Sequence, residues 1–466
     1  MNNNLRTIII VVEEGFTARS LLRSNFLTKI KENFERIVIV APKAKLDYYN
    51  EKYCDDRIIF EPMDEDKNSL FQRAIFKIIK YSIHSNINKI KLLRTLYNKD
   101  GKVKFNKDFF FFPILFLCWF MGQYRWWRFF LRMIYSTTRL DGRCIKLIDR
   151  YKPMVVFANY SDISVNNFNL KLIRASKKRK IKTVGNIFSW DNLFSKVFIT
   201  DFSDCITVPN GIVRDVAVLM DDVDAKKIMV VGLPHFDVYF NKNIIKSKEY
   251  FFREINADIN KKLIVFAIGI KDAINENHFL DLFNNLAKSS FSNIQFYIRP
   301  YPKVGLKQNI VDKFKGNVNI LIENRPAKNC GVYFEFFDND PEFLANLLLH
   351  SDVLITYYST IIIESCITDT PIINLNYSGG LSNSYYHQIQ RYYYYDHIKQ
   401  ILDTGCAKWV NNDKELVNVL KQYLDNPLTD RNARKKTVIE QLSYIDGKSA
   451  ERLFLAIRNT INSKND

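Results

Sequence analysis

The chain has little of what covalent or metal-linked frameworks require. Its 466 residues include seven cysteines, none of them in a CxxC pair, and six dispersed histidines. Disulfide scaffolds and zinc knuckles depend on paired or clustered ligands at short spacings, so both are excluded as the basis of this fold. We therefore expect free thiols in a reducing compartment and no bound metal ion.

Long apolar runs are missing as well. The run Phe109–Met121 is shorter than the roughly 20 residues that a membrane-spanning helix needs, and Pro113 lies inside it. The N-terminus has a short apolar run without a signal-peptide cleavage pattern, and we interpret that run as a first strand. These absences predict a cytoplasmic protein.

Aromatic and basic residues, by contrast, are abundant around Phe109–Met121. Tryptophans and arginines follow the run directly, and the segment before it, from Arg73 to Lys107, is strongly basic. This composition is typical of an element that lies in the interface of an anionic membrane. We expect peripheral membrane contact through about residues 73–135, at the inner face of the cell membrane. A buried helical hairpin is the alternative, and a true span is a third.

The overall charge also points to anionic partners. Lys and Arg number 68 against 50 Asp and Glu, which gives a formal net charge of +18. Phosphorylated substrates and acidic lipid would both fit such a balance. No zinc finger, RNP-type motif or helix-turn-helix signature is visible, so nucleic acid is not an expected partner. The chain is rich in Lys, Asn and Ile throughout, and compositional bias is the alternative explanation of its charge.

Short β-branched strands alternate with helices in two series, a pattern typical of α/β domains with parallel sheets. Because 466 residues are too many for one core, we expect two domains. The first is predicted to span residues 1–235 with an insertion at about 70–140, and the second residues 236–440. Residues 441–466 are predicted to form a helix that returns towards the first domain. Near the N-terminus, Glu13–Arg19 is predicted to be a loop, followed by a helix from Ser20 to about Glu32.

Polar residues at the strand ends of the second half suit a diphosphate. Parallel sheets bind ligands at the carboxyl ends of their strands, where glycine admits close backbone approach and arginine grips two oxygens. Glu364 lies one turn beyond Thr360, at the start of a helix, where a carboxylate can accept hydrogen bonds from ribose. Each residue taken singly is also typical of a turn or a cap. The residues predicted to bind such a phosphorylated ligand are Gly269, Lys271, Arg299, Tyr301, Tyr358, Ser359, Thr360, Glu364, Gly379 and Gly380.

Carboxylates at the strand ends of the first half are candidates for a general base. Transfer to a hydroxyl needs a group that takes its proton. Asp191 stands between an aromatic residue and an amide, which we expect to raise its pKa, and Glu14 is the second candidate. A structural turn is the alternative role of Asp191. The residues predicted to face the acceptor are Trp190, Asn192, Lys196 and Asp162.

Several motifs together resemble the GT-B glycosyltransferase superfamily. They are SWDNLFSK at 189–196, GLPHFD at 232–237, RPYP at 299–302, the segment 351–364 and DGKSAER at 446–452. The resemblance is greatest to the bacterial surface-polysaccharide branch, which includes CDP-glycerol glycerophosphotransferases and Kdo transferases. One departure is Tyr301, where relatives often have histidine.

The resemblance implies two Rossmann-like domains facing each other across a cleft, with the acceptor bound by the first domain and the nucleotide donor by the second. Arg299, Ser359, Thr360 and Glu364 would hold the donor's phosphates and ribose. Neither a cofactor nor a metal is implied, because a helix start and Arg or Lys can stabilise the leaving diphosphate.

The expected activity is transfer of a sugar from a nucleotide-sugar donor to a lipid-linked or surface-polysaccharide acceptor. Two alternatives remain open from the sequence. One is a glycerol- or ribitol-phosphate transferase that uses a CDP donor, and the other is a sugar-nucleotide epimerase on the same fold.

Overall fold

The computed structural model covers most of the chain. It describes residues 5–63, 68–98, 101–105, 107–160, 167–269, 273–289, 291–302, 304–325, 328–330, 333–381 and 389–463.

The first lobe is built on seven parallel strands in the order β3-β2-β1-β4-β5-β6-β7. Its central strands are buried on both faces, which explains why their sequences are continuous apolar runs rather than alternating ones. The strands are β1 (Thr7–Val11), β2 (Arg36–Pro42), β3 (Ile58–Met63), β4 (Val155–Asn159), β5 (Lys182–Asn186), β6 (Cys205–Val208) and β7 (Ile228–Val230).

Helices cover both faces of this sheet, and four of them, α4 to α7, form the insertion between β3 and β4. The helices are α1 (Gly15–Leu21), α2 (Asn25–Asn33), α3 (Leu46–Lys52), α4 (Leu70–Tyr81), α5 (Asn86–Arg94), α6 (Lys107–Met121), α7 (Arg125–Thr137), α8 (Gly142–Tyr151), α9 (Phe168–Lys178), α10 (Asn192–Ser195) and α11 (Gly211–Asp221). The segment Glu13–Arg19 was expected to be a loop, but from Gly15 onward it belongs to the short helix α1.

The second lobe has six parallel strands in the order β10-β9-β8-β13-β14-β15, together with an antiparallel hairpin of β11 and β12. The strands are β8 (Lys262–Ala267), β9 (Ile294–Arg299), β10 (Ile320–Ile322), β11 (Lys328–Cys330), β12 (Tyr333–Glu335), β13 (Val353–Thr356), β14 (Ile372–Leu375) and β15 (Lys408–Val410). The helices are α12 (Lys248–Glu254), α13 (Glu276–Lys288), α14 (Gln308–Phe314), α15 (Asp340–Leu349), α16 (Ile361–Ile367), α17 (Asp396–Leu402), α18 (Asp413–Asp425), α19 (Arg431–Leu442) and α20 (Ser449–Asn462).

A 3₁₀ segment, Pro234–Phe240, connects the two lobes, and the last helix returns beside it. Both carboxylate oxygens of Asp237 accept backbone hydrogen bonds from the start of α20, from Ser449 and Ala450, at 2.9 Å each. Gly232 has φ +83°, and a Cβ there would lie 2.4 Å from the Ser449 hydroxyl oxygen, so only glycine fits this close approach. The buried face of α20 then packs in the core of the first lobe.

The two lobes are joined by a buried ion cluster around Glu335 of β12. One carboxylate oxygen accepts from Arg23 at 2.7 Å, and the other from Lys45 at 2.6 Å and from the Tyr49 hydroxyl. The Glu335 and Lys45 side chains are fully buried. Because a buried charge is costly unless it is paired, this cluster fixes the β11–β12 hairpin against α1 and α3.

We expect Glu335→Gln to lower the free energy of unfolding by about 3–5 kcal/mol, because Arg23 and Lys45 lose their shared counter-charge in a buried site. The matched control is Asp338→Asn, whose side chain is 69% exposed although it also pairs with a lysine, Lys52. That exposed pair should contribute only about 0–1 kcal/mol. Urea denaturation of both variants gives the comparison, and equal losses would contradict the assigned role of Glu335.

Candidate active site

The cleft between the lobes is closed on one side by a hydrogen bond from the connecting segment to α16. The Tyr239 hydroxyl donates to Glu364 Oε1 at 3.0 Å. Glu364 is 8% exposed, and burial raises the pKa of its carboxyl group, while Arg19, Tyr239 and Arg299 oppose that rise. Glu364 therefore lies in a polar, largely enclosed part of the cleft, rather than on a solvated helix face.

Arg299 does not have the role that its position at the end of β9 suggested. One terminal nitrogen donates to both oxygens of Glu323 at 2.9 Å, and the other donates to Asp340 at 2.8 Å. All three side chains are nearly fully buried. The expectation that Arg299 binds phosphate is corrected, because two carboxylates already use its terminal nitrogens and neutralise its charge.

The start of α16 is a weak anion site by its geometry. The helix has only seven residues, and Thr360, at the N-cap, makes no side-chain capping bond, while the Ser359 hydroxyl accepts from the Ile361 N–H at 3.4 Å. Tyr358, with φ +29°, stacks on Tyr392 at 4.0 Å between ring centroids and is buried. Tyr358 therefore packs within the second lobe, which corrects its predicted contact with the donor.

Two of the three glycines predicted for the donor site, Gly269 and Gly379, lie against other side chains, and the third, Gly380, does not. Gly379 has φ +65°, and a Cβ there would approach the His278 ring of α13 to 2.8 Å, whereas Gly380, with φ +85°, has open space beside it. Gly269 follows β8 and lies against the ring of Tyr357. Lys271 and Asp162 lie outside the described residues.

Asp191 is ionised and paired, contrary to the expected rise of its pKa. It accepts from the Ser189 hydroxyl at 2.7 Å and from Lys196 at 3.0 Å, and its side chain is 22% exposed. Burial by itself raises the pKa, but the charges of Lys196 and His397 and these hydrogen bonds outweigh it, so the pKa of Asp191 lies well below its usual range. The expectation failed because the local motif supplies its own cation, five residues on.

Asp191 and Glu14 are brought to the same place as Tyr301 of the second lobe. Burial raises the pKa of the Tyr301 hydroxyl, and the charges of Glu14 and Asp191 raise it further, whereas Lys196 lowers it. These four predicted residues therefore lie close together across the cleft. Asp191 and Glu14 come from the first lobe and Tyr301 from the second, so this group of residues spans the cleft.

The side chains of Trp190 and Asn192, on either side of Asp191, are buried and hold this part of the chain in place. Asn192 is fully buried and donates to the carbonyl of Tyr160 at 3.0 Å, and Trp190 is 5% exposed and packs against Phe236. Their predicted contact with the acceptor is corrected, because neither side chain has the exposure that such a contact needs.

Four residues in this region were missed by the sequence analysis: Arg19, His235, Tyr239 and His397. His235 Nδ1 lies 2.9 Å from the Ser20 hydroxyl, and burial, then the charge of Arg19, lowers its pKa well below the usual value. His235 and Tyr239 belong to the segment that starts with the GLPHFD motif, so that motif was their signal. No motif in the sequence indicated Arg19 or His397.

No group of three His, Cys, Asp or Glu side chains within the described parts of the chain could hold a metal ion. Nor does any helix of those parts have both the length and the apolar character needed to cross a membrane.

Comparisons with known proteins bear on both sides of this cleft. A family model described as CDP-glycerol:poly(glycerophosphate) glycerophosphotransferase matches residues 169–459, a range that contains Asp191, Tyr239 and Glu364. No curated protein is significantly similar in sequence.

Solved structures share the architecture at low sequence identity. A putative UDP-N-acetylglucosamine 2-epimerase from Listeria monocytogenes has a TM-score of 0.55 at 13% identity, over 99% of this chain and 98% of that one. The UDP-GlcNAc 2-epimerase from Neisseria meningitidis bound to UDP-GlcNAc gives 0.55 and 13%, over 97% and 100%. A glycosyltransferase from Rickettsia africae gives 0.51 and 12%, over 98% and 99%. These similarities concern the fold, and they confirm the expected GT-B arrangement of two Rossmann-like domains.

Because Arg299 neutralises two buried carboxylates, we expect Arg299→Gln to destabilise the protein by about 3–5 kcal/mol at neutral pH. Without the arginine, the pKa values of Glu323 and Asp340 rise above those of the unfolded chain, so the variant regains stability as the pH falls through them. Urea denaturation at pH 7 and pH 5 should show the deficit shrinking. Lys313→Gln, which breaks an exposed pair with Asp281, is the control. A stable Arg299→Gln variant that loses nucleotide affinity would return Arg299 to the donor site.

Proposed function

The chain belongs to the CDP-glycerol:poly(glycerophosphate) glycerophosphotransferase family, and we propose that it transfers an alditol phosphate or a sugar from a nucleotide-activated donor to a lipid-linked or glycan acceptor. Family membership favours a CDP-activated alditol phosphate as the donor. On the sequence alone, this donor is an alternative to a nucleotide sugar. In this proposal the donor lies between α16 and the connecting segment, and the acceptor approaches from the side of Asp191.

One observation carries the proposal, namely the buried carboxylate of Glu364 that faces the first lobe and accepts from Tyr239. A carboxylate that is largely desolvated, with one oxygen engaged, retains acceptor capacity for hydroxyl groups. The hydroxyls of a ribose supply such donors, and hydrogen bonds to an ionised group are about twice as strong as neutral ones. Glu364 therefore suits the sugar of a nucleotide.

Asp191 is the proposed base for the acceptor hydroxyl. It stays ionised at neutral pH because its pKa is depressed, so it is always in the form that can accept a proton, although a low pKa makes it a weak base. With a CDP-alditol donor, the acceptor oxygen forms a bond to the distal phosphorus while the bond from that phosphorus to the bridging oxygen breaks, and CMP leaves. Asp191 takes the hydroxyl proton, and Glu14 is the second candidate for that role.

With a nucleotide-sugar donor, the acceptor oxygen instead bonds to the anomeric carbon, and a nucleoside diphosphate leaves. The product therefore separates the two candidates when each donor is supplied alone: release of CMP from a CDP-alditol indicates alditol phosphate transfer, whereas release of a nucleoside diphosphate from a nucleoside-diphosphate sugar indicates sugar transfer. The epimerase alternative requires inversion of a sugar nucleotide without any acceptor, and the same incubation, analysed without acceptor, tests it.

We expect wild-type protein to be stabilised by CDP above UDP, GDP and CMP in a thermal-shift series, since a ligand that binds the folded state raises the unfolding temperature by mass action. Glu364→Gln should weaken CDP binding about tenfold or more, because a charged acceptor of the ribose hydroxyls is lost. Glu440→Gln, with an exposed carboxylate on α19, is the matched control. No nucleotide-induced shift in the wild type, or an undiminished one in Glu364→Gln, would contradict the proposed donor site.

The insertion supports a further part of the proposal, contact with an anionic membrane. Helices α6 and α7 pack against the first lobe on one side and leave many large apolar side chains exposed on the other, which favours an interfacial element over a buried hairpin. Arg128 of α7 is buried and pairs with Asp222 at 2.6 Å, which fixes the helix to the first lobe. The apolar side chains on the outer face are Phe110, Phe111, Ile114, Leu117, Phe120, Trp126, Phe129 and Met133.

This outer face combines aromatic groups with exposed positive charge. Phe110, Phe129 and Trp126 are 74%, 68% and 59% exposed, and the Arg125 side chain next to Trp126 is 83% exposed although its Nε pairs with Asp222 at 3.1 Å. Lys77 lies over the ring of Phe111. Apolar side chains that enter the acyl boundary and cations that meet anionic headgroups are the two terms of interfacial binding. We therefore infer that this face binds the membrane, on the side of the membrane where the donor is made.

We expect the triple variant Phe110→Ser, Trp126→Ser and Phe129→Ser to reduce binding to vesicles with anionic lipid at least about tenfold, since each aromatic group contributes about 1.5 kcal/mol or more when buried. Its unfolding temperature should not fall, because all three side chains are exposed. The control changes three exposed apolar residues elsewhere, Leu428→Ser, Ile439→Ser and Ile445→Ser. Co-sedimentation measures binding, and equal binding by both triple variants would contradict the proposal.

A further inference from the structure

Arg19 differs from the other arginines that face the interior. Four of these, Arg23, Arg128, Arg299 and Arg434, pair with carboxylates at 2.6–3.0 Å. Arg19 forms no ion pair within the described part of the chain, and its Nε is buried without a hydrogen-bond partner there. The Arg19 side chain is half-buried, and its guanidinium has no carboxylate partner among the described residues, so it is available to an anionic ligand.

The guanidinium of Arg19 lies in the donor side of the cleft. It lies over the ring of Phe336, 4.9 Å from the ring centroid, within the distance of a cation–π interaction. Burial raises the pKa of Glu364, and the charge of Arg19 is the largest factor opposing that rise. Burial lowers the pKa of His235, and Arg19 lowers it further, so His235 is neutral beside it. Arg19 is thus close to Glu364 but reaches it from the opposite lobe.

The nearby carboxylates do not satisfy Arg19, because they have other partners. Glu364 accepts from Tyr239, and Asp340 pairs through one oxygen with Arg299. The second oxygen of Asp340 is buried without a partner among the described residues. The site thus has one orphan cationic donor and one orphan acceptor. A molecule that carries both a phosphate and hydroxyl groups satisfies the two at once.

We propose that Arg19 of the first lobe binds the phosphates of the donor, the role predicted above for Arg299. This inference rests on the proposed donor site, and it adds a residue outside the range 169–459 that the family model matches. The planar fork of an arginine matches a phosphate in bidentate geometry. Because Glu364 and Arg19 belong to different lobes, the bound nucleotide links them, with its ribose on one lobe and its phosphates on the other.

The experiment compares Arg19→Gln with Arg23→Gln. The two arginines lie four residues apart, and Arg23 pairs with Glu335, whereas Arg19 forms no ion pair among the described residues. Calorimetric titrations with cytidine, CMP and CDP, and with uridine, UMP and UDP, measure how much affinity the phosphates add to the nucleoside. In the wild type the diphosphate should bind more tightly than the nucleoside. We expect this ratio of affinities to be about tenfold or more smaller in Arg19→Gln, with the affinity for the nucleoside unchanged. Arg19→Lys, which keeps the charge without the fork, should retain part of the gain.

Thermal unfolding without nucleotide separates binding from structure. Arg19→Gln should unfold at about the wild-type temperature, because Arg19 has no ion pair among the described residues to lose, whereas Arg23→Gln loses its pair with Glu335 and should unfold at a lower temperature while keeping the phosphate gain. A full phosphate gain in Arg19→Gln overturns the inference and leaves the proposed function standing. Loss of nucleoside affinity together with a lower unfolding temperature also overturns it, because Arg19 is then structural. If the wild type binds none of the six compounds, the donor site itself is refuted.

Discussion

The structure depends on how buried charges between the two lobes are paired. Placing carboxylates and cations where the lobes meet costs free energy unless each charge has a partner, and the geometry of those pairs therefore fixes how the lobes sit. Glu335 joins Arg23 and Lys45 across the interface, and Arg299 neutralises Glu323 and Asp340 within the second lobe. Glu364 and Arg19 take part in neither of these clusters, and both are near the cleft.

The architecture could be predicted because its signals are local. Buried parallel strands appear as short β-branched runs, and β13 and β14 lie where such runs predicted them, at Val353–Thr356 and Ile372–Leu375. Helix α1 was missed for an equally local reason. Its seven residues begin with glycine, and Glu14, which precedes it, is not a usual cap; the helix start is instead stabilised by the Thr17 hydroxyl, which accepts from the Glu14 N–H at 3.1 Å.

The site could be predicted only in part, because its chemistry depends on partners that are distant in the sequence. The position of Arg299 at a strand end was visible, but its neutralisation by Asp340, 41 residues further on, was not. Asp191 shows the opposite case. Its aromatic and amide neighbours suggested a raised pKa, while the decisive groups were Lys196 and Ser189 in the same motif and His397 from the other lobe. Burial and pairing act in opposite directions on the pKa, and the sequence does not show which prevails.

Hydrogen bonds connect the insertion to the residues beside the cleft, so the position of the aromatic face would affect how an acceptor reaches the proposed base. The indole N–H of Trp119 on α6 donates to the backbone carbonyl of Ser85 at 2.9 Å, and the Ser85 hydroxyl donates to the carbonyl of Phe194 in α10, directly after Asp191. On the other lobe, Asp396 accepts from the N–H of Ile87 at 3.1 Å, next to His397.

The start of helix α5 therefore contacts the segment after Asp191 through Ser85, and the residue before His397 through Ile87. Under the proposed function, a membrane on the outer face of α6 and α7 would lie on the same side of the cleft as Asp191. A lipid-linked acceptor would then have a short path from the bilayer to the proposed base, whereas the proposed nucleotide site at Glu364 and Arg19 is outside the region that these hydrogen bonds connect. The two proposals together would keep a water-soluble donor apart from a membrane-bound acceptor until they react.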